Sequence, residues 1–311
     1  MKSPRRWVIG LIVWALTGSI GVQAGTLTSE SLLIGGLNRT YQQFRPPPQP
    51  NQQPLPLVLV LHGAFLTANQ VLDSALGEWV SLADAEGWLV VYPNGFNLAW
   101  NDCRRDTTVN QTIDDVAFLD AIIADLQAKN WIDPRRIYIA GVSNGGMMAL
   151  RMAQESAYPI AAIATVLANL PANSECLMPT ELPSWLLINS ADDTTVPWDG
   201  GFVSGRAAQG EVQSVIASVT EWAEHLNILN GPTQWQALPD INPNDGSTVQ
   251  RLTWQAPDSP AAMELYILVG SGHVTPSIQR PVAFWVELLS GRQNRDIEPA
   301  LLMRDFFNRP N

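Results

Sequence analysis

The order of apolar and polar residues divides the sequence into short apolar runs that alternate with amphipathic segments. The apolar runs predict buried strands, and the segments with apolar residues every three or four positions predict helices. This alternation is typical of a mainly parallel sheet with helices on both faces, so we predict an α/β fold. The predicted strands are Leu55–Leu61, Trp88–Tyr92, Arg136–Ala140, Ile160–Leu167, Ser184–Asn189 and Glu264–Val269. The predicted helices are Val71–Ala85, Asp114–Asn130, Asn144–Glu155, Val212–Leu229 and Pro281–Leu289.

Three further segments complete this pattern. Thr26–Arg45 contains two alternating runs around Gly35-Gly36, which predict a β-hairpin. Thr248–Gln255 predicts an edge strand or the arm of a hairpin. Pro46–Pro56 has the composition of a linker between domains, but too little sequence precedes it to form a domain. We therefore expect a surface loop within one domain.

The first 24 residues have the pattern of a signal peptide. Three basic residues precede the apolar run Trp7–Val22, and the small residues Val22 and Ala24 suit a cleavage site. The alternative is a retained membrane helix, but this run is shorter than the roughly 20 residues that cross a bilayer. We therefore predict cleavage after residue 24, a single mature domain over residues 25–311, secretion to the periplasm or medium, and no stable membrane anchor.

Composition narrows the possible partners and cofactors. The formal charge is −11 and no basic run occurs after the first six residues, so we expect no nucleic-acid partner. The two cysteines, Cys103 and Cys176, lack metal-binding spacing, and we predict neither a metal ion nor a cofactor. In an exported protein they are expected to form one disulfide, with two separate buried thiols as the alternative.

A candidate nucleophile lies at the centre of the sequence. The motif Gly-x-Ser-x-Gly covers residues 141–145, between the predicted strand that ends at Ala140 and the helix that begins at Asn144. A sharp strand-to-helix turn of this type exposes the serine hydroxyl at a helix N-terminus. We therefore interpret Ser143 as a nucleophile rather than an ordinary turn residue.

A serine nucleophile needs a base, and the sequence contains three histidines. His225 lies within a predicted helix, and His62 follows the first buried strand, upstream of the serine, where the oxyanion loop of a hydrolase is expected. His273 follows the last strong strand. The chain order Ser, acid, His therefore selects His273 as the base. The segment after the strand Ser184–Asn189 supplies three candidate acids, and spacing does not choose among them: Asp192, Asp193 and Asp199.

Several motifs together resemble the secreted esterases of the polyhydroxybutyrate depolymerase and feruloyl esterase type, carbohydrate esterase family 1. They include VLHGAFLTA, GWLVVYPNG, DDVAFLDAIIADL, IAGVSNGGMMALRMA, SADDTTVPWDGG, GSGHVTP and NRDIEPALLMRDFF. The resemblance implies an α/β-hydrolase fold and identifies Asp193 as the acid, from Asp-x-x-Val-Pro. It also implies that the backbone N–H groups of Ala64 and Asn144 form the oxyanion hole. The sequence departs from the family at Ala64, where Cys is frequent, and at Val274, where an aromatic residue is frequent.

Two further sets of residues have alternative interpretations. Trp100 and Trp198 lie in loops expected at the carboxyl edge of the sheet, where they would line a substrate cleft or pack in the core. Asp114 and Asp115 begin a predicted helix, where carboxylates cap the helix and complement its dipole, although an acidic pair also suggests a metal site. We favour the capping role.

The sequence therefore predicts a serine carboxylesterase that hydrolyses hydroxyacid or hydroxycinnamoyl esters through an acyl-enzyme. One alternative is a peptidase or acyltransferase on the same fold, because all three share the acyl-enzyme. Another is a non-catalytic binding protein on a hydrolase scaffold. Because the sequence ends 38 residues after His273, we also expect soluble or short-chain esters to be preferred over crystalline polyester.

Overall fold

The computed structural model describes residues 24–48, 53–107, 111–204, 210–228, 231–255 and 261–309. Residues 1–23 of the predicted signal peptide lie outside the described residues. None of the helices in these described ranges has the length and hydropathy needed to cross a bilayer.

The described residues form an α/β structure around one large sheet. The strands are β1 Thr26–Ile34, β2 Leu37–Arg45, β3 Leu55–Leu61, β4 Leu89–Pro93, β5 Ile132–Val142, β6 Ala162–Val166, β7 Ser184–Ser190, β8 Gly201–Phe202, β9 Glu211–Val212, β10 Gln234–Ala237, β11 Thr248–Gln255 and β12 Ala262–Val269. The α-helices are α1 Ala68–Leu72, α2 Glu78–Glu86, α3 Asp115–Ala128, α4 Asn144–Glu155, α5 Val215–His225, α6 Phe284–Ser290 and α7 Pro299–Phe307. Short 3₁₀ turns cover Ala75–Gly77 and Phe96–Leu98.

The central part of the sheet is parallel, as the apolar runs predict. Its ten strands follow the order β1-β2-β4-β3-β5-β6-β7-β12-β11-β10. The strands from β4 to β12 in this order pair in parallel, whereas the pairs at both ends are antiparallel. Parallel strands place their carboxyl ends at one edge of the sheet, so the loops after β3, β5, β7 and β12 converge there.

Two hydrophobic clusters cover the two faces of this sheet. One includes buried residues of α3, α4 and α5, with Trp185 and Trp222 in contact at a ring-centroid distance of 4.8 Å. The other includes residues of α1, α2 and α7, with Tyr138 stacked on Phe307 at 4.6 Å. Side chains buried on both faces explain why the central strands are almost continuously apolar.

Several predicted boundaries differ from the structure for local reasons. The helix predicted over Val71–Ala85 is interrupted, because Ser74 caps the turn that follows it and Gly77 lies against Leu72. A Cβ at Gly77 would lie 1.9 Å from the Leu72 carbonyl oxygen. The helix predicted from Val212 begins only at Val215, since Val212 belongs to β9.

The predicted hairpin over Thr26–Arg45 is confirmed as β1 and β2. Thr248–Gln255 forms a hairpin arm, as one of the two predictions states. It is not an edge strand, because the short strand β10 pairs with its other side. The exposed side chains of β10 lack the apolar alternation that predicts a strand, which explains why the pattern misses it.

Candidate active site

Ser143 lies at the turn between β5 and α4. Its backbone has φ 53° and ψ −124°, a conformation that is costly for a residue with a side chain. The Ser143 N–H donates to the Val166 carbonyl oxygen on the neighbouring strand β6 at 2.8 Å, which holds the strained turn in place. The turn therefore presents the hydroxyl at the carboxyl edge of the sheet, as the sequence motif predicts.

The two glycines of the motif permit close backbone contacts on either side of Ser143. A Cβ at Gly141 would lie 2.2 Å from the carbonyl oxygen of Gly145. A Cβ at Gly145 would lie 2.4 Å from the carbonyl oxygen of His62. Any larger residue at either position would therefore push α4 away from β5 or from the loop after β3.

His273 lies in the loop after β12 and contacts both Ser143 and Asp193. Its Nε2 atom is 3.1 Å from the Ser143 hydroxyl oxygen, and its Nδ1 atom is 2.7 Å from the Asp193 carboxylate. The His273 side chain is 17% exposed, whereas that of Asp193 is 1% exposed. The loop is fixed by the His273 N–H, which donates to the Ser290 carbonyl oxygen at 2.7 Å. The geometry brings together the nucleophile, base and acid that the sequence predicts.

The three candidate acids occupy different positions. One Asp193 oxygen contacts His273, and the other accepts the backbone N–H groups of Thr195 and Val196 at 2.7 and 2.9 Å. Asp192 accepts the Gly270 N–H at 2.7 Å, so its carboxylate holds the loop that leads to His273 rather than the imidazole itself. Asp199 is exposed. Only Asp193 of these three has a carboxylate oxygen hydrogen-bonded to His273.

The loop after β3 lies beside the nucleophile. A Cβ at Gly63 would be 3.6 Å from the Ser143 Cβ atom, so the backbone of Gly63, which directly precedes Ala64, passes close to Ser143. Asn144 is the first residue of α4, and the N–H groups of the first helical turn have no partner within the helix. Of the two predicted oxyanion donors, Asn144 directly follows Ser143, and Ala64 directly follows Gly63, which lies beside Ser143.

Comparisons with known proteins identify the family of this chain. Residues 80–170, which include the Ser143 turn, match the prolyl oligopeptidase family. A putative esterase, NocK, of Nocardia uniformis subsp. tsuyamanensis is 30% identical over 264 residues, which cover 82% of this chain and 76% of that protein. This chain belongs to the same esterase family. It is a carboxylic ester hydrolase, and it is related to a polyhydroxybutyrate depolymerase and to feruloyl esterases.

Two further relatives match smaller parts of this chain. The poly(3-hydroxybutyrate) depolymerase of Ralstonia pickettii is 31% identical over 44% of this chain, but the match spans only 30% of the depolymerase. Feruloyl esterase C of Emericella nidulans is 30% identical over 45% of this chain and 52% of its own length. An acetyl xylan esterase from Aspergillus awamori aligns with 79% of this chain and 94% of its own at a TM-score of 0.56. Its 14% identity supports the α/β-hydrolase fold alone.

The two tryptophans for which the sequence allows a cleft or a core position differ in exposure. Trp198 is half-buried and packs against the first hydrophobic cluster. The prediction that Trp100 lines the cleft is wrong, because its side chain is completely buried. Its indole N–H donates to the His62 carbonyl oxygen at 2.9 Å, and its backbone makes two hydrogen bonds with the Asn144 side chain. Trp100 therefore links the two segments that carry the predicted oxyanion donors.

His62 and His225 lie outside the Ser143–His273 contact. The His62 ring is buried, and both of its nitrogens contact backbone atoms, the Gly63 carbonyl oxygen at 2.7 Å and the Gly95 nitrogen at 2.8 Å. Burial lowers the pKa of His62 to about 4, and the charge of Arg39 acts in the same direction. His225 contacts the Glu221 carbonyl oxygen within α5, as its helical position predicts.

The cysteines of the esterase form one disulfide, as predicted. Cys103 and Cys176 are 73 residues apart in the sequence, and their Cα atoms are 5.4 Å apart. Next to Cys103, a buried ion pair joins Asp102 to Arg104, and Asp102 also accepts the Asn144 side-chain N–H at 2.5 Å. The disulfide therefore anchors the loop that supports Asn144. Among the described residues, both cysteines also belong to a cluster with Glu155, but their disulfide removes them as metal ligands.

The acidic pair at the start of α3 divides into two roles. Asp114 accepts the Ala117 N–H at 2.8 Å and caps the helix, as expected. Asp115 is instead buried and forms an ion pair with Arg39 at 2.6 Å, while its other oxygen accepts the Asn101 N–H. Burial raises the pKa of Asp115 and the Arg39 charge opposes this effect. The local sequence pattern predicts a capping role for Asp115 as well, because it contains no information about a distant partner such as Arg39.

Proposed function

We propose that this esterase works through a covalent acyl-enzyme on Ser143, with His273 as general base and acid and Asp193 as its orienting carboxylate. The observation that carries the proposal is the unbroken hydrogen-bonded chain from the Ser143 hydroxyl through His273 to Asp193. A serine hydroxyl becomes an effective nucleophile only when an adjacent base can accept its proton. These distances allow that transfer without rearrangement.

In the first half of the reaction, the Ser143 Oγ atom forms a bond to the ester carbonyl carbon while His273 Nε2 takes its proton. Negative charge develops on the former carbonyl oxygen, where the N–H groups of Ala64 and Asn144 would donate hydrogen bonds. The bond to the alcohol oxygen then breaks, and His273 returns the proton to the leaving alcohol. Asp193 accepts the Nδ1–H throughout and stabilises the imidazolium.

The second half repeats these steps with water. His273 takes one proton from a water molecule as its oxygen attacks the acyl carbon of Ser143. The tetrahedral intermediate collapses, the bond to Ser143 Oγ breaks, and the proton returns to that oxygen. The products are a carboxylic acid, an alcohol and the free enzyme, so the ester and one water molecule account for all atoms of the reaction.

We propose hydroxyacid or hydroxycinnamoyl esters as the substrate class. The names of the depolymerase and feruloyl esterase relatives support this choice. Apolar residues next to Ala64 support it as well, since Phe65 is 49% exposed and Leu98 is 41% exposed. The Phe65 N–H donates to the Leu98 carbonyl oxygen at 2.7 Å, so the two residues lie side by side. This apolar surface would contact the hydrocarbon part of an acyl chain.

A peptidase is the second candidate function, because residues 80–170 match the prolyl oligopeptidase family. An esterase and a peptidase share the acyl-enzyme but differ in the leaving group, an alcohol or an amine. Parallel assays with an ester and an anilide of the same acyl group separate them. Hydrolysis of the anilide with an efficiency close to that of the ester would favour the peptidase.

Variants at Ser143 test the proposed function. We expect Ser143→Ala to lose hydrolysis of p-nitrophenyl butyrate while keeping its circular dichroism spectrum. The wild-type protein should then be assayed with methyl ferulate, hydroxybutyrate oligomers and a series of p-nitrophenyl esters to define the acyl group. Undiminished hydrolysis by Ser143→Ala would disprove the acyl-enzyme on this residue.

We also propose that the esterase is exported after removal of residues 1–24. The basic and apolar pattern of this segment and the disulfide between Cys103 and Cys176 support export, since disulfides persist in oxidising compartments. The intact mass of the protein recovered from the periplasm or medium tests the proposal. The expected N-terminus is Gly25, and an exported protein that keeps residues 1–24 would contradict it.

A further inference from the structure

The short helix α6 is amphipathic in the reverse sense, because its apolar face points to solvent. Four of its seven residues are large and apolar, and their exposed fractions lie between 64% and 77%. They are Phe284, Trp285, Leu288 and Leu289, and this spacing places them on one side of the helix. A contiguous apolar face of this kind on the surface of a protein marks a site of interaction.

Polar contacts fix the other side of α6 to the rest of the protein. The Glu287 carboxylate pairs with Arg295 at 3.0 Å, and it also accepts the Gln293 N–H. The side chain of Gln293 is buried, and its amide oxygen accepts the Val282 N–H just before the helix at 2.8 Å. These contacts on the polar side therefore set the outward direction of the apolar face.

The end of α6 is bonded to the loop that carries His273. The His273 N–H donates to the Ser290 carbonyl oxygen at 2.7 Å, and the Gly272 N–H donates to the Arg292 carbonyl oxygen at 2.9 Å. The apolar face of α6 therefore keeps a fixed position relative to the proposed catalytic histidine. Any surface that binds to this face lies beside the site of acyl transfer.

The size of the face argues against a second copy of this chain as its partner. The exposed parts of the four side chains present on the order of 500–600 Å² of apolar surface. A stable interface between two proteins buries about 800 Å² on each partner. An extended apolar phase needs no matching patch of protein surface, so a small helix face is sufficient to adsorb to it.

The charge of the chain argues against an anionic lipid bilayer as the partner. Helices that bind such bilayers carry Lys and Arg on their polar face, whereas the ionisable residue of α6 is Glu287. The formal charge of the whole chain is −11, which an anionic lipid surface would repel. A neutral ester phase carries no charge that opposes contact with the protein.

We propose that the exposed face of α6 docks on the surface of a water-insoluble, dispersed short-chain ester and thereby holds the active site against its substrate. The fixed link between α6 and the His273 loop supports this occupant over a partner unrelated to the reaction. This inference rests on the proposed function, because it assumes ester hydrolysis at Ser143.

Adsorption is best measured in the Ser143→Ala background, so that the ester is not consumed. Tributyrin droplets serve as the ester phase, and the protein that stays in solution is measured after the droplets are removed by centrifugation. We expect Trp285→Ser combined with Leu288→Ser, the α6 variant, to weaken adsorption at least about tenfold, because both substitutions remove apolar contact area. Trp235→Ser combined with Leu33→Ser is the matched control, since these residues are similarly exposed on β10 and β1, at the two ends of the sheet.

Hydrolysis by proteins that keep Ser143 gives a second readout. Dissolved p-nitrophenyl butyrate and dispersed tributyrin share the butyryl group, so the ratio of their rates compares a dissolved with a dispersed ester of the same acid. We expect the α6 variant to lose at least about tenfold more rate on tributyrin than on p-nitrophenyl butyrate, because fewer molecules reach the droplets. The control variant should keep the wild-type ratio.

Two measurements need no α6 variant and cover the case in which it does not fold. Ser143→Ala itself should adsorb to tributyrin droplets. The wild-type rate on tributyrin should rise when the ester concentration passes its solubility limit and droplets form. Absence of both effects would overturn the proposal.

Other results would also overturn the proposal. Equal adsorption of the α6 variant and its control would show that α6 is not the docking surface. Binding to vesicles of phosphatidylcholine and phosphatidylglycerol without binding to tributyrin would assign the face to a bilayer. A wild-type dimer that becomes a monomer in the α6 variant, measured by analytical ultracentrifugation, would assign it to a second copy. Failure of the proposed function gives a different result, namely full hydrolysis by Ser143→Ala, so the two hypotheses are tested separately.

Discussion

Two histidines follow buried strands at the same edge of the sheet, yet their surroundings differ. The His62 ring is fully buried and contacts only backbone atoms through its nitrogens, the Gly63 oxygen and the Gly95 nitrogen. The His273 ring is partly exposed, and its nitrogens contact two side chains, Ser143 and Asp193. Backbone partners cannot exchange protons at neutral pH, whereas a serine hydroxyl can release one to a base.

The comparison shows that two histidines at the same edge of the sheet have hydrogen-bond partners of different kinds. His62 has two neighbours with fixed hydrogen-bonding directions, so it can hold a structure in place. In the proposed mechanism, Asp193 orients the His273 ring and Ser143 supplies a proton to it. We therefore expect substitutions at His273 to remove the chemistry and substitutions at His62 to weaken it.

The largest effect is expected for His273→Ala. Loss of the base should lower kcat for p-nitrophenyl butyrate by about ten thousandfold or more, because members of such a triad act as a unit. His225→Ala is the matched control, since His225 lies in α5 and its ring forms a hydrogen bond with the Glu221 carbonyl oxygen of the same helix. Activity in His273→Ala comparable to that of His225→Ala would contradict the assignment of His273 as the base.

The next effect concerns the neighbours Asp192 and Asp193. Asp193→Asn should lower kcat about a thousand- to ten thousandfold, because the amide no longer selects the required His273 tautomer. Asp192→Asn should cost less than about tenfold, since its remaining oxygen can still accept the Gly270 N–H. The two variants should be compared at equal folded fraction, and a larger loss in Asp192→Asn would mean that the acid is assigned to the wrong residue.

Removal of the disulfide tests its contribution to stability and to the support of Asn144. Replacing both Cys103 and Cys176 by Ser should lower the free energy of unfolding by about 2–4 kcal/mol. Activity should fall as well, because Asp102 next to Cys103 accepts a hydrogen bond from the Asn144 side chain. Urea unfolding and kcat of the double variant provide the two measurements. Free, alkylatable thiols in the exported wild-type protein would contradict the bond.

The smallest effect is a pH dependence of stability caused by His62. Its pKa is about 4 in the folded protein and near 6.5 when exposed, so the unfolded chain binds more protons between these values. Its contribution to stability is therefore present above pH 6.5 and is lost as the pH falls toward 4. At about pH 5 the loss should reach about 2 kcal/mol relative to neutral pH. Urea unfolding of wild type and His62→Gln should show this slope only in the wild type, and equal slopes would contradict it.

The strand pattern and the Ser143 turn are the features most accessible from sequence. Leu55–Leu61 is a strand with the predicted bounds because its leucines and valines pack in the two core clusters. The Ser143 turn is predictable because its glycines are required by local backbone contacts. Asp193 needed the family resemblance, since Asp192 has the same chemistry one position away. Only the three-dimensional path of the chain decides which carboxylate points at His273.

Contacts between distant segments explain the rest of the disagreement. Trp100 lies in a loop where a cleft residue is expected. Its buried position instead involves hydrogen bonds with His62 and Asn144, which lie 38 and 44 residues away in the sequence. The apolar residues of α6 differ from Trp100 in being largely exposed. They belong to the helix predicted over Pro281–Leu289, and four of them are more than 60% exposed: Phe284, Trp285, Leu288 and Leu289. Periodicity identifies an apolar helix but not what covers its face.

Labelling with a fluorophosphonate tests the central claim most directly. This reagent bonds to a serine only when the serine is activated by its base, and the modified peptide can be found by mass spectrometry. We predict one adduct, on the peptide that contains Ser143, with no labelling in Ser143→Ala and much slower labelling in His273→Ala than in His225→Ala. An adduct on another residue, or equal labelling of Ser143 in the two histidine variants, would contradict the account.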